Sequence, residues 1–418
     1  NIYLFIKKGE IMKKGILISL VFCLVVSTCQ KNQKEDGNMS YYDELQFLKS
    51  YVDVIELSDN KGIAKLIAVP AWQGRVMTST ADGDKGLSFG WINHELISSG
   101  EIQEHINVFG GEDRFWMGPE GGQFSIFFKE QDPFDLEHWQ VPAVIDTDSY
   151  NIIEQHQDRV IFGQNFHLVN YSGTELLGNI NREVKLLSEA DIVSSLKMDI
   201  PEDTLKVGYI SINTITNSGE IPWRKETGLL SVWILGMFTP SPDTTVVIPF
   251  IEGDEQELGP IVNDAYFGKV PDSRIKIENG FVFFKGDGLY RSKIGLSPQR
   301  SKPILGSYDA SAQVLTIVIY TKPENLTDYV NSMWELQDNP FAGDVVNSYN
   351  DGPPEPGAKP LGPFYELETS SPAAALGPGE SLTHENRTFH FQGQEEDLNK
   401  IALKCLGIDL ETIKASLK

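Results

Sequence analysis

The sequence predicts a mainly β protein, a large antiparallel β-sandwich with a short C-terminal helix. Three observations lead there. Short alternating segments rich in β-branched residues recur along the chain, Gly, Pro and Asn clusters separate them, and only three segments carry helical spacing. A chain of 418 residues can bury a large core as one all-β unit.

The N-terminus reads as a processing signal. Met12-Lys13-Lys14 gives a positive start, residues 15–26 an apolar run, and Val26-Ser27-Thr28-Cys29 a small-residue site ending in cysteine. Residues 1–11 then lie upstream of the translated start, and the apolar run is too short for a permanent membrane span. The expectation is an exported protein held to the membrane by lipid on Cys29, on the periplasmic or surface face of a bacterial envelope. This divides the chain into residues 1–28 as leader, 29–42 as lipidated Cys and tether, 43–393 as the sandwich and 394–418 as a helical tail. Cys405 would be the one other mature cysteine, which leaves no intrachain disulfide if Cys29 carries lipid.

Within the sandwich, residues 63–69 alternate and stop at Pro70; 159–162 and 166–171 read as adjoining strands, and 207–215 as a strand closing at Asn217-Ser218-Gly219. Residues 274–285 place two alternating strands around Asn279-Gly280, whose residues accept the positive φ of a type I′ turn. Residues 313–320 form a further strand. Helical spacing appears at 188–197, 326–336 and 395–417, where Leu398, Ile401, Ala402, Cys405 and Leu406 make one apolar face. Residues 351–357 are a Pro- and Gly-rich loop.

The balance of 35 Lys plus Arg against 59 Asp plus Glu disfavours a nucleic-acid partner. There is no His/Cys cluster with zinc spacing, no P-loop ending and no Gly-x-Ser-x-Gly elbow, so the sequence points to no metal and no cofactor. The densest set of ligand-type groups is Phe109-Gly110-Gly111-Glu112-Asp113-Arg114-Phe115-Trp116-Met117-Gly118-Pro119-Glu120. Glu112, Asp113, Arg114, Trp116 and Glu120 combine charged hydrogen-bonding groups with a flat indole, the chemistry that grips a polyol. The same residues would also serve a hairpin turn with a structural Arg–carboxylate pair. Asn347 and Tyr349 add amide and hydroxyl groups ahead of the Pro-rich loop. Glu366 and Glu368 share one face of a strand, with Tyr365 and Leu367 opposite.

Several segments in chain order resemble galactose mutarotase-like (aldose 1-epimerase-like) proteins. Ala68-Val69-Pro70-Ala71-Trp72-Gln73-Gly74-Arg75 resembles that family's opening strands, and residues 210–222, with Thr216-Asn217-Ser218-Gly219, its central strand. Phe364-Tyr365-Glu366-Leu367-Glu368-Thr369-Ser370-Ser371-Pro372 and Leu376-Gly377-Pro378-Gly379-Glu380-Ser381-Leu382-Thr383-His384 resemble mutarotase-like bacterial lipoproteins. The resemblance implies a β-supersandwich with a sugar-sized cleft, a late-strand Glu as base and two assisting His. Glu366 or Glu368 would be that base. Phe109, however, stands before the Gly pair where the first His is expected, and residues 223–229 contain none. His94 and His105, close by in sequence, are the candidate substitutes. The expected function is therefore a carbohydrate-binding lipoprotein, with altered carbohydrate-active chemistry. The alternatives are an active epimerase using a substitute His, or a non-catalytic structural or interaction lipoprotein.

Overall fold

The computed structural model describes residues 39–355 and 357–418. The leader, Cys29 and most of the tether lie outside the described residues. In chain order the strands are β1 (Ile55–Ser58), β2 (Lys65–Val69), β3 (Arg75–Thr80), β4 (Arg114–Gly118), β5 (Asn151–Gln155) and β6 (Arg159–Val169). Then follow β7 (Glu175–Leu186), β8 (Leu205–Asn217), β9 (Ser231–Phe238), β10 (Thr244–Pro249), β11 (Ile275–Glu278) and β12 (Phe281–Lys285). The last six are β13 (Ser292–Leu296), β14 (Ile304–Asp309), β15 (Val314–Tyr320), β16 (Val346–Asn350), β17 (Tyr365–Ser370) and β18 (Ser381–Gln392). Among the described residues six α-helices accompany them: α1 (Tyr41–Lys49), α2 (His94–Ser99), α3 (Glu189–Leu196), α4 (Glu255–Leu258), α5 (Glu395–Cys405) and α6 (Leu410–Ala415).

The strands form a three-stranded sheet (β1-β2-β3), a ten-stranded sheet (β11-β12-β10-β14-β15-β18-β8-β7-β6-β5) and a five-stranded sheet (β13-β16-β17-β9-β4). Every pair of these strands runs antiparallel. The mainly β sandwich read from the sequence is thus the architecture observed. Alternation decides which side chains go where. On β10, Val246 and Ile248 face the five-stranded sheet and pack in one cluster with Ile294, Val346 and Leu367. Val247 points the other way, into a second core with Phe283, Leu315 and Ile317. That outer core is closed by α3, α5 and α6 through Ile192, Leu196, Leu398, Ile401 and Ile413.

Local chemistry accounts for the clear turns and caps. Asn279 and Gly280 have φ of 52° and 81°, joining β11 to β12 in the register Glu278↔Phe281. Ser188 and Asp191 make a reciprocal capping box at the start of α3. The tail is two helices rather than one. Gly407, at φ 84°, turns the chain after α5, and the Asp409 side chain caps α6 by accepting from Thr412 N at 2.7 Å.

One expected helix is absent. Residues 326–336 form a loop that bonds to its own return: Tyr329 N donates to Phe341 O at 3.1 Å and Asn331 N to Pro340 O at 2.9 Å. Its regularly spaced apolar residues do not build a helix face. Val330 and Trp334 instead lie with the five-stranded sheet's cover, so tertiary packing overrides the local spacing.

Candidate functional site

The site grows from the alternation along β17, the central strand of the five-stranded sheet. Tyr365, Leu367 and Thr369 face the ten-stranded sheet: the Tyr365 hydroxyl lies 2.8 Å from Ser307 Oγ, and Thr369 Oγ1 lies 2.9 Å from His384 Nε2. Glu366 and Glu368 therefore point to the opposite, outer face. The register sets their neighbours there. Glu366 stands between Met237 and Tyr349, whose further partner is Lys293. Glu368 stands between Leu235 and Asn347, and Leu235 in turn pairs with Arg114. Trp116 pairs with Trp233 one step along.

Each cation reaches diagonally across this lattice. Arg114 Nη2 donates to Glu366 Oε1 at 3.2 Å, and Lys293 Nζ to Glu368 Oε2 at 2.9 Å. Trp233 Nε1 donates to the same Glu368 oxygen at 3.0 Å. Among the described residues Glu368 Oε1 has no partner, and neither do Arg114 Nε and Nη1 or Trp116 Nε1, although all are buried. Arg114 lies over the Trp116 ring at 4.3 Å, and Lys293 over the Trp233 ring at 4.6 Å. Beyond these two indoles a chain of rings runs from Trp116 through Phe127 and Trp139 to Trp334, the last two with ring centroids 5.7 Å apart.

Loops roof the face. Glu120, Tyr266, Asp344 and Ser332 line its narrow cavity with Trp233, Lys293 and Asn347. The cavity volume is about 20 Å³, room for a water or so, and it is only partly enclosed. Tyr266 donates to Asp344 Oδ2, and Asn347 Nδ2 donates to the Tyr266 hydroxyl at 3.2 Å. Gly295 makes room for this set, because a Cβ there would strike the Asp344 carboxyl and the Asn347 amide.

Burial governs the electrostatics. It pushes the Glu366 carboxyl up to about 8, helped by the neighbouring Glu368 charge and opposed by Arg114 and Lys293. It likewise raises Glu120 against the pull of Lys293, and Asp344 against the hydrogen bonds of Tyr266 and Asn263. The site thus combines a carboxyl that keeps its proton near neutrality with a second, Glu368, whose Oε2 is held by two donors and whose Oε1 is unoccupied. Such a pair can give and accept protons at a bound hydroxyl.

Of the residues singled out by sequence, the fold brings together Arg114, Trp116, Glu120, Asn347, Glu366 and Glu368. Tyr349 shares their sheet face but spends its hydroxyl on Asp351 Oδ1 at 2.8 Å. Glu112 and Asp113 lie between the sheets. Glu112 accepts from Ser79 Oγ at 2.8 Å and stands 3.1 Å from His390 Nε2. Asp113 holds Arg182 at 2.6 Å, Ser211 at 2.8 Å and Asn386 at 3.2 Å, a fully buried structural network. Of the three consecutive polar residues, Arg114 reaches the outer face. His94 lies away from the sheet, 2.7 Å from Glu44 Oε2 where α2 meets α1. The His105 ring sits 2.7 Å from the Trp139 carbonyl, bracing a roof loop from outside the cavity wall. Phe109 is buried in a separate core, stacked on Trp72 at 4.3 Å.

Sequence reasoning missed Lys293, Trp233, Tyr266 and Asp344. Lys293 left a signal: a lysine in the alternating stretch Ser292-Lys293-Ile294-Gly295-Leu296 needs a buried partner or a solvent face. Among the described residues, no group of three or more His, Cys, Asp or Glu side chains could hold a metal ion.

Fold and site define a class, a β protein of three antiparallel sheets with a narrow roofed cavity beside a buried carboxyl pair on its five-stranded sheet. The chain belongs to DUF6786, a family of unknown function, whose profile matches residues 39–417. No curated protein matches the sequence. Similar crystal structures include the Slr1438 protein of Synechocystis sp. PCC 6803, 13% identical over 82% of this chain and 96% of that one, with a TM-score of 0.49. A galactose mutarotase-like protein of Lactobacillus casei ATCC 334 is 9% identical over 81% of this chain and 100% of its own, TM-score 0.46. A galactose mutarotase related enzyme of Lactobacillus acidophilus is 8% identical over 82% and 98%, TM-score 0.42.

The raised Glu366 carboxyl has a measurable consequence. Its folded-state affinity for a proton exceeds its unfolded one, so its contribution to stability is complete below the ordinary carboxyl range near 4.5 and is lost as pH rises to about 8. Glu366→Gln should remove that slope, which has a ceiling of about 1.4 kcal/mol per pH unit. Urea denaturation of both proteins at pH 5, 6.5 and 8 checks this. Parallel stability profiles would show that Glu366 titrates normally.

Proposed function

We propose that the cleft over the five-stranded sheet binds a carbohydrate and that Glu366 and Glu368 perform acid–base chemistry on it. One observation carries the reading: Arg114, Trp116 and Glu368 are buried on one sheet face, and each keeps a polar atom without a partner among the described residues. Buried polar groups without partners cost free energy unless a ligand or water completes them. Guanidinium and indole N–H donors beside a carboxylate oxygen, walled by indole rings, complement a molecule with ring hydroxyls and apolar C–H faces. The cavity is narrow, so a sugar ring enters only if the roof loops carrying Glu120, Tyr266 and Ser332 move apart.

Within the proposal each side chain has a defined task. Glu368 Oε1 accepts the proton of a ligand hydroxyl, while Trp233 and Lys293 fix Oε2 and so orient the carboxylate. Glu366, which burial lets hold its proton at neutral pH, gives it to a second oxygen of the same ligand, so one proton leaves the ligand and one arrives. Arg114 and Trp116 grip the ring. An epimerase built on His94 or His105 is less favoured, because both imidazoles are engaged elsewhere.

Calorimetry against a panel of neutral, acidic and amino monosaccharides tests the binding, and polarimetry or proton-exchange NMR on any sugar that binds tests the chemistry. A sugar should bind, with the affinity falling at least about tenfold in Arg114→Ala, the loss of one charge-assisted hydrogen bond. Glu368→Gln should keep most of the affinity and lose the proton transfer. A panel without a single binder, or Arg114→Ala binding as well as the unaltered protein, would remove the proposal.

The leader read at residues 12–29 supports a second part of the proposal, export and lipid attachment at Cys29. Expressed in a bacterial host, the full chain should fractionate with membranes and release to the soluble fraction on Cys29→Ala. Equal partitioning of the two would contradict attachment there.

A further inference from the structure

The polar face continues past the carboxyl pair toward solvent. Tyr266, half-buried, forms part of the cavity wall, and the next residue, Phe267, leaves 47% of its surface exposed. The Phe267 ring meets Tyr349 edge-on, centroids 5.8 Å apart, and Tyr349 is the cross-strand neighbour of both Lys293 and Glu366. The exposed ring is thus one side chain away from the row that carries Glu366. Arg291 lies over it at 4.0 Å, and the adjacent Tyr290, 43% exposed, is held by Arg274 at 5.4 Å. Two aromatic side chains that would otherwise wander are each pinned by a guanidinium, yet nearly half of each stays open to solvent.

We propose that the cleft's ligand is an oligosaccharide, its end unit among Arg114, Trp116 and Glu368 and its following units on a platform made by Phe267, Tyr290 and Arg291. The inference rests on the carbohydrate reading above and extends it from a single ring to a chain. Continuity is the argument. The same loop supplies Tyr266 to the cavity wall and the exposed Phe267 beside it, so a chain that passes out beside Tyr266 meets the platform next. The platform also has the right chemistry. Aromatic surfaces take the apolar faces of sugar rings, and the Arg291 guanidinium offers N–H donors to their hydroxyls. Rings already fixed lose little entropy when a ligand settles on them. A protein partner would instead need an interface on the order of 1,000 Å² or more, whereas two half-exposed rings offer far less.

Calorimetric titrations with the monosaccharide panel and with cellotetraose, maltotetraose, xylotetraose, chitotetraose and tetragalacturonate test the inference on the folded protein. At least one tetrasaccharide should bind about tenfold or more tightly than its own monomer, a gain of the size expected for added aromatic contacts. Phe267→Ala should bring that tetrasaccharide down to the affinity of the monomer, while Phe267→Tyr should retain the gain. Binding of monomers with no tighter tetrasaccharide, or a gain that survives Phe267→Ala, would overturn the chain proposal and leave the single-ring reading standing. Failure of every saccharide to bind would overturn both.

Discussion

Two carboxyl groups, two residues apart on the central strand of a sheet and buried on the same face, cannot both remain charged without opposite charges beside them. This constraint organises the smaller sheet. Arg114 comes to Glu366 from β4, Lys293 comes to Glu368 from β13, and Trp233 of β9 completes the second carboxylate. Four of the five strands thus contribute to one charge cluster, and the indoles of Trp116 and Trp233 cover its cations. The compensation is incomplete, since Arg114 and Glu368 both keep buried atoms without partners. A structure built only for stability could fill such a face with apolar residues at no greater free-energy cost. The retention of an unsatisfied, partly protonated cluster is the physical reason for reading it as a site.

The sandwich was legible because its elements agree locally and globally. Asn279-Gly280 specified a hairpin through backbone conformation alone, and the two residues adopt the positive φ angles their types permit. Glu366 and Glu368 were assigned to one face by the period of a strand, which is what the register shows. Period alone could not say whether that face meets water. The acids of an edge strand and the acids of a central, roofed strand look alike in sequence, and only the placement of β17 between β16 and β9 separates them.

The run Glu112-Asp113-Arg114 shows the limit from another side. Three polar residues in a row read as one grip, yet the chain turns them to different surroundings. Glu112 links Ser79 of the three-stranded sheet to His390 of the ten-stranded one, Asp113 bonds to Arg182, Ser211 and Asn386 of the ten-stranded sheet, and Arg114 alone reaches the outer face. Lys293, Trp233, Tyr266 and Asp344 are not legible in the sequence for a related reason. They are distant in sequence and meet only through strand pairing and the roof loops, information that no local pattern holds. The loop at 326–336 departs in the opposite direction: its apolar residues have helical spacing, but Val330 lines the cavity while Leu326 and Leu336 stay exposed.

The central claim is that the outer face of the five-stranded sheet, between Arg114, Trp116 and Glu368, is where a sugar sits. A crystal structure of the protein soaked in concentrated monosaccharides from the panel tests it most directly. A sugar ring should appear in density against Trp116, with its oxygens within hydrogen-bond reach of Arg114 Nη1 and Glu368 Oε1 and with the roof loops parted. Clear density for sugar elsewhere on the molecule, with those atoms completed by ordered water alone, would contradict it.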